Sequence, residues 1–97
     1  MPTYIALIDW TAEGVRAFRD SVDRYEAAQQ QMQSMGVNFT NIYWTLGNHD
    51  IVGILEAPDD ESAAAGLLAV AGEGNIRSQT LRAFSAEEMR GVIGKAG

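Results

Sequence analysis

Hydrophobic and polar positions along the chain change period several times, and each change marks an element. Thr3 to Asp9 (TYIALID) is a run of β-branched, aromatic and apolar residues with no breaker, which predicts a strand. After Thr11, a plausible N-cap, Val15, Phe18, Val22, Tyr25, Ala28, Met32 and Met35 recur at spacings of three and four. That stripe predicts one helix of roughly 20–25 residues ending at Gly36, with Gly14 weakening its first turn. Phe39 to Leu46 (FTNIYWTL) and Asp50 to Ala57 (DIVGILEA) read as strands two and three. Gly47-Asn48-His49 between them predicts a tight antiparallel hairpin, because Gly and Asn best tolerate positive φ.

Pro58 stops the third strand. Asp59 or Asp60 can cap a second helix over the Ala/Leu-rich segment Ala63 to Ala71, which Gly72 and Gly74 end. Ile76 to Phe84 reads as a fourth, more polar strand, and Ser85 as the cap of a short terminal helix. The order β-α-β-β-α-β plus a tail helix is the split βαβ, or ferredoxin-like, arrangement of the α+β class. It has a four-stranded antiparallel sheet with both main helices on one face. No repeat, low-complexity tract or linker interrupts residues 1–97, so one domain is expected.

In that topology strands one and three are central and strands two and four lie at the edges. Strand one is apolar on both faces (Ile5 and Leu7; Ala6 and Ile8), as is strand three (Val52 and Ile54; Ile51 and Leu55). Helices cover one face only, so the other must meet something, and an apolar patch of that kind marks an interface. Burying ~600 Å² of it per partner is worth on the order of 15 kcal/mol before the costs of association. A homodimer, or a higher homo-oligomer, is the expectation.

Composition narrows the chemistry. The 97 residues include no cysteine and one histidine, which argues against a disulfide scaffold, a thiolate metal site and a structural zinc. The formal charge of −6, with Arg16, Arg19 and Arg24 interleaved with Asp20 and Asp23, opposes nucleic acid and anionic membranes as partners. No apolar run is long enough to span a bilayer and no secretory signal is evident, so a cytoplasmic location is expected. G-x-S-x-G and Walker-type loops are missing, and Gly72-Glu73-Gly74 follows a helix, the wrong context for a dinucleotide turn.

Candidate site residues are few. His49 can exchange a proton near neutral pH and is the candidate catalytic residue, although its neighbour Asp50 should point to the opposite face and suits a turn cap. Tyr4, Trp10, Tyr43 and Trp44 suit the wall of a small planar or apolar ligand, with core packing as the plainer role. Tyr4 and Trp10 should share a face, Tyr43 and Trp44 should oppose each other, and Asn41 and Thr45 should lie with Tyr43. Arg82 is expected to bind an anion or, more commonly, to pair with a carboxylate such as Asp9 or Glu56. No metal or cofactor is expected. Met32 and Met35 read as core filler.

Three blocks resemble a known family: Pro2 to Thr11 (PTYIALIDWT), Gly47 to Val52 (GNHDIV) with Glu56 to Asp60 (EAPDD), and Gly74 to Phe84 (GNIRSQTLRAF). Together they are similar to the GYD-domain proteins, a small and mostly bacterial family of unsettled activity. The resemblance implies a dimeric α/β barrel, a group that includes cofactor-free monooxygenases, isomerases, cyclases and ligand-sensing modules. Gly47 and Asp50 match the motif Gly-x-x-Asp that names the family, but His49 stands where tyrosine is common, so the tyrosine's role does not carry over. Three functions compete. The leading one is a small-molecule-binding dimer, extending to a cofactor-free oxygenase, isomerase or cyclase with an aromatic or polyketide-like substrate. Against it stand a non-catalytic regulatory or assembly module, and a subunit that binds a larger enzyme.

Overall fold

A computed structural model describes all 97 residues. Strand β1 (Thr3–Trp10) leads into a short helix α1 (Ala12–Arg16), a 3₁₀ turn (Phe18–Asp20) and helix α2 (Ser21–Gln33). Strands β2 (Asn38–Trp44) and β3 (Ile51–Glu56) follow, then α3 (Asp60–Ala71), β4 (Ile76–Ala83) and α4 (Ala86–Ala96). The strands form one antiparallel sheet in the order β2-β3-β1-β4. This is the ferredoxin-like α+β arrangement, with the two apolar strands in the middle as their composition requires. No helix is long and apolar enough to cross a membrane.

Alternation assigns every strand residue to a face. Tyr4, Ala6 and Ile8 of β1, with Ile51 and Leu55 of β3, point under α2 and α3 and are buried with Met32, Val37, Ala63 and Leu67. Close packing there depends on small residues. A methyl group on Gly66 would lie 2.9 Å from the Met32 side chain, and one on Gly53 would lie 2.7 Å from the Phe39 ring. The opposite face carries Ile5 and Leu7, which pair in register with Ile54 and Val52, and Leu81 of β4 with Asn41 and Tyr43 of β2. No helix lies over it: Tyr43 is 55% and Leu81 42% exposed.

Where the sequence pattern predicts one long helix, the chain makes two helices joined by a 3₁₀ turn. Side-chain and loop bonds overrule the apolar stripe. Thr11 caps α1 by accepting the Gly14 N–H, while its hydroxyl donates to Gly74 O (2.6 Å) and its N–H to Asn75 O. These bonds fix α1 against the α3–β4 loop. The Gly14 carbonyl, which would accept from Phe18 in a continuous helix, instead accepts from Arg24, as does the Ala17 carbonyl. The turn also rotates the stripe, so Val15, Phe18 and Val22 face outward and Ser21 faces in. Helix α2 then ends as expected, with Gly36 at φ +80° and Val37 N–H returning to Met32 O.

Two smaller expectations also change. The β2–β3 connection is a six-residue loop over 45–50, closed by Thr45 N–H to Asp50 O, and only Gly47 takes a positive φ (+114°). Helix α4 has the capping box Ser85/Glu88, yet every one of its residues is exposed, including Met89, Val92 and Ile93.

Gly14 is therefore a packing requirement. A Cβ there would sit 1.9 Å from Asn75 O, so Gly14→Ala should destabilise the protein by at least about 3 kcal/mol in urea denaturation, despite alanine's better helix propensity. The cap carboxylates predict an acid response. Backbone N–H groups of Ser62 and Ser85 hold Asp59 and Glu88 below their ordinary values of 3.8 and 4.5. Their ionised forms favour the folded helices, so that contribution is complete above those values and is lost as pH falls below them. Far-UV circular dichroism should show α4 losing helicity in that acidic window, and Glu88→Gln should flatten the response.

Candidate functional site

The sequence-predicted site residues do not form one site. They divide between the two faces and the two ends of β1, and each group has a definite set of partners.

At the start of β1, the buried Tyr4 hydroxyl donates to the Asp60 carboxylate at the first turn of α3. That acceptor favours the protonated phenol, and together with burial it raises the Tyr4 pKa above 10. Arg82 stacks over the rings of Tyr4 (5.7 Å) and Phe84 (4.6 Å) and donates to Thr3 O. It forms no ion pair with Asp9 or Glu56, contrary to the expectation. Arg82 lies opposite Tyr4 in the β1–β4 register, on the helix side of the sheet, where the Thr3 and Ala83 carbonyls and the two aromatic faces hold its guanidinium. This cluster fastens β1, α3 and β4 together.

At the other end of β1 sits the β2–β3 loop. Asp50 N–H donates to Ile8 O, and its carboxylate accepts the Trp10 N–H at 3.0 Å. The side chain thus continues the sheet ladder for one more step, bonding a neighbouring strand and not merely its own turn. The His49 carbonyl accepts from the Thr45 hydroxyl at 2.5 Å, which orients the loop from inside. The His49 ring meets Asp9 at 3.4 Å, with side chains 33% and 25% exposed. Asp9 belongs to the uncovered face, opposite Arg77 in register. This pair lies at the end of the open face.

Trp10 points the other way, under the helices. Trp10, Tyr25, Met32, Phe39, Leu67 and Ile76 line a largely apolar cavity of about 60 Å³ between the sheet and the two main helices. That is small beside the ~150 Å³ of a cavity that admits benzene, so an aromatic or polyketide-like guest would require α2 to move. The Trp10 Nε1–H is buried and has no acceptor within the protein. Trp44 stands beside this region, its Nε1–H donating to the buried Ser21 Oγ (2.8 Å) and its ring edge-on to Tyr25 (5.9 Å). Burial raises the Tyr25 pKa above 10. Tyr43 is on the opposite face with Asn41, as the alternation requires, while Thr45 belongs to the loop.

Sequence reasoning missed Arg24, Glu73 and Asn75, polar residues lining the cavity, because they come from α2 and the α3–β4 loop, which are distant in sequence. Tyr25 was legible as an apolar-stripe residue, but not as a cavity wall. No cluster of three histidine or carboxylate side chains is arranged to hold a metal ion.

Among known proteins, the GYD domain family model matches residues 4–93. The chain belongs to the GYD-domain family. It is 29% identical over 90 residues to the "Glutamine synthetase and cystathionine beta-lyase binding protein" of Thermus thermophilus, covering 92% of this chain and 95% of that protein. A crystal structure of a Thermus thermophilus protein aligns with a TM-score of 0.58 at 20% identity, covering 89% of this chain and 96% of that one, a likeness of fold. In this GYD domain the motif residues have concrete work: Gly47 turns the loop, and Asp50 ties it to β1.

Asp50→Ala should leave the Trp10 N–H unpaired and cost about 1–3 kcal/mol in chemical denaturation. His49→Gln removes only a half-exposed pair and should change stability by less than about 1 kcal/mol. A reversed order would show that the ring, not the aspartate, secures the loop.

Proposed function

We propose that this GYD domain is a non-catalytic protein-binding module that pairs with a second copy of itself and engages partner enzymes. The observation that carries the reading is the uncovered sheet face, where Ile5, Leu7, Val52, Ile54 and Leu81 form an apolar surface that no part of the chain overlies. The dimensions of the chain support it. Its radius of gyration is 14.4 Å, against about 12.5 Å for a compact chain of this length. Its surface of 6180 Å² exceeds the compact expectation by roughly 750 Å². Each partner in a standard protein interface buries about 800 Å². The shape suits a protomer.

Pairing through the sheet leaves α4 available. An 11-residue helix is marginal in water by itself, and this one presents Met89, Val92 and Ile93 to solvent. We assign that stripe to the partner protein. The name of the Thermus relative supports an enzyme as the partner, and glutamine synthetase is the natural first candidate. A second reading, small-molecule binding, has one specific observation in its favour: the largely apolar cavity between the sheet and the main helices. The catalytic form of that reading gains less, because His49 does not line the cavity.

Light scattering should find a species of twice the 10.5 kDa chain mass, and Ile54→Lys should convert it to monomer with its circular dichroism spectrum kept. Removing residues 85–97 should leave pairing intact while abolishing capture of purified glutamine synthetase from the same organism. A monomeric wild-type protein would overturn the pairing. Unchanged capture by the shortened chain would remove α4 from the partner surface.

A further inference from the structure

We infer that the elbow between α1 and α2, residues 15–23, is a second self-association surface, through which sheet-paired copies join into a tetramer. The tetramer, though not the elbow contact itself, rests on the sheet pairing proposed above. The elbow belongs to the helix side of the chain and shares no residue with the open face. Val15, Phe18 and Val22 are turned outward there by the 3₁₀ turn, and each is about half exposed. A continuous helix would lay such a stripe against the sheet, so the break leaves a short apolar ridge in water.

The order of charges points to the occupant. Arg16, Arg19, Asp20 and Asp23 punctuate the ridge, and all four are exposed. Two cations followed by two anions complement themselves when a second copy crosses antiparallel: Arg16 meets the partner's Asp23, and Arg19 meets the partner's Asp20. Within one copy these charges are unpaired. In a continuous helix Arg16–Asp20 and Arg19–Asp23 would be i,i+4 neighbours, but the 3₁₀ turn interrupts that spacing and neither pair is within ion-pairing distance. Asp20 stands at the N-cap position of α2 yet makes no capping bond with its side chain. Arg24 is turned to the Gly14 and Ala17 carbonyls and Glu13 toward Gly74, so neither disturbs the arrangement. A partner surface of one sign would attract half of these charges and repel the rest, whereas a two-fold related copy matches all four. Nine residues are fewer than the roughly 20–30 per side of a standard interface, so sheet pairs form first and the elbow joins them at higher concentration.

Sedimentation velocity of the full-length protein from micromolar to millimolar concentration tests the elbow. The mass should rise from twice toward four times the 10.5 kDa chain mass, and added salt should oppose the rise. Arg16→Asp with Arg19→Asp, or Asp20→Arg with Asp23→Arg, should each weaken this second step at least about tenfold, because like charges then face each other across the two-fold axis. An equimolar mixture of the two variants should recover it, as should one chain carrying all four reversals. Phe18→Ser, at an exposed position, should weaken the step while circular dichroism reports an unchanged fold. Wild-type protein that stays at twice the chain mass throughout overturns the elbow contact and leaves the sheet pairing standing. Growth that persists in both charge-reversed variants overturns the inference by placing the contact elsewhere. Loss in both variants without recovery on mixing rules out an antiparallel copy as the occupant. Were sheet pairing absent, the mass would rise from one chain to two, and the same charge dependence would still assign that contact to the elbow.

Discussion

The structure is governed by a shortage of cover. Helices α2 and α3, of 13 and 12 residues, lie on one side of a four-stranded sheet whose central strands are apolar on both sides. The remaining helix, α4, is turned away from the body and covers nothing. Only 14 of 97 residues are buried, too few for a chain this apolar to be finished by itself, and the exposed apolar residues include Tyr43 and Leu81 on the open face and Met89, Val92 and Ile93 on α4. Apolar surface left in water costs about 25 cal/mol per Å², so the strongest force available to this molecule acts outward, toward other chains. The proposal of a partner-binding module rests on this imbalance.

The second organising feature is the junction at the end of β1. Within five residues, Trp10 N–H reaches Asp50, Thr11 caps α1 and holds Gly74 and Asn75, and Gly14 packs against the same loop. Two connections that are distant in sequence, β2–β3 and α3–β4, are thereby joined to one strand end. One part of each of the three sequence blocks, at Trp10 and Thr11, at Asp50, and at Gly74 and Asn75, meets at this junction. Asp50 is the clearest case, since its carboxylate replaces a strand neighbour that the loop cannot supply.

Most of the fold was legible in the residues. Strand and helix order, the central position of β1 and β3, a cap at Asp59 or Asp60, the cap at Ser85 and the stop at Gly36 each follow from local chemistry that the tertiary structure leaves in place, with Asp59 taking the first cap. The long first helix was not legible, because its apolar spacing continues straight through the break at Ala17. What divides it is Arg24 competing for two carbonyls and Gly14 pinned against Asn75, contacts between residues far apart along the chain or across turns. The candidate site was legible in part. Alternation put Tyr4 and Trp10 on one face, and it set Tyr43 opposite Trp44. Arg82 was misread as an ion-pairing residue because its aromatic neighbours, Tyr4 and Phe84, come together only when β4 lies beside β1. The cavity's polar rim, drawn from α2 and the α3–β4 loop, had no signature in sequence at all.

That same alternation bears on catalysis. Asp9 and Trp10 are consecutive residues of one strand, so the His49–Asp9 pair stands at the open face and the indole N–H stands under the helices. A single copy therefore separates the His49–Asp9 pair from its cavity by the thickness of the sheet. Were the open face covered by a second copy, the pair would become enclosed by the partner's sheet and not by its own cavity. The two features therefore lie on opposite sides of one sheet, a separation that strand alternation imposes.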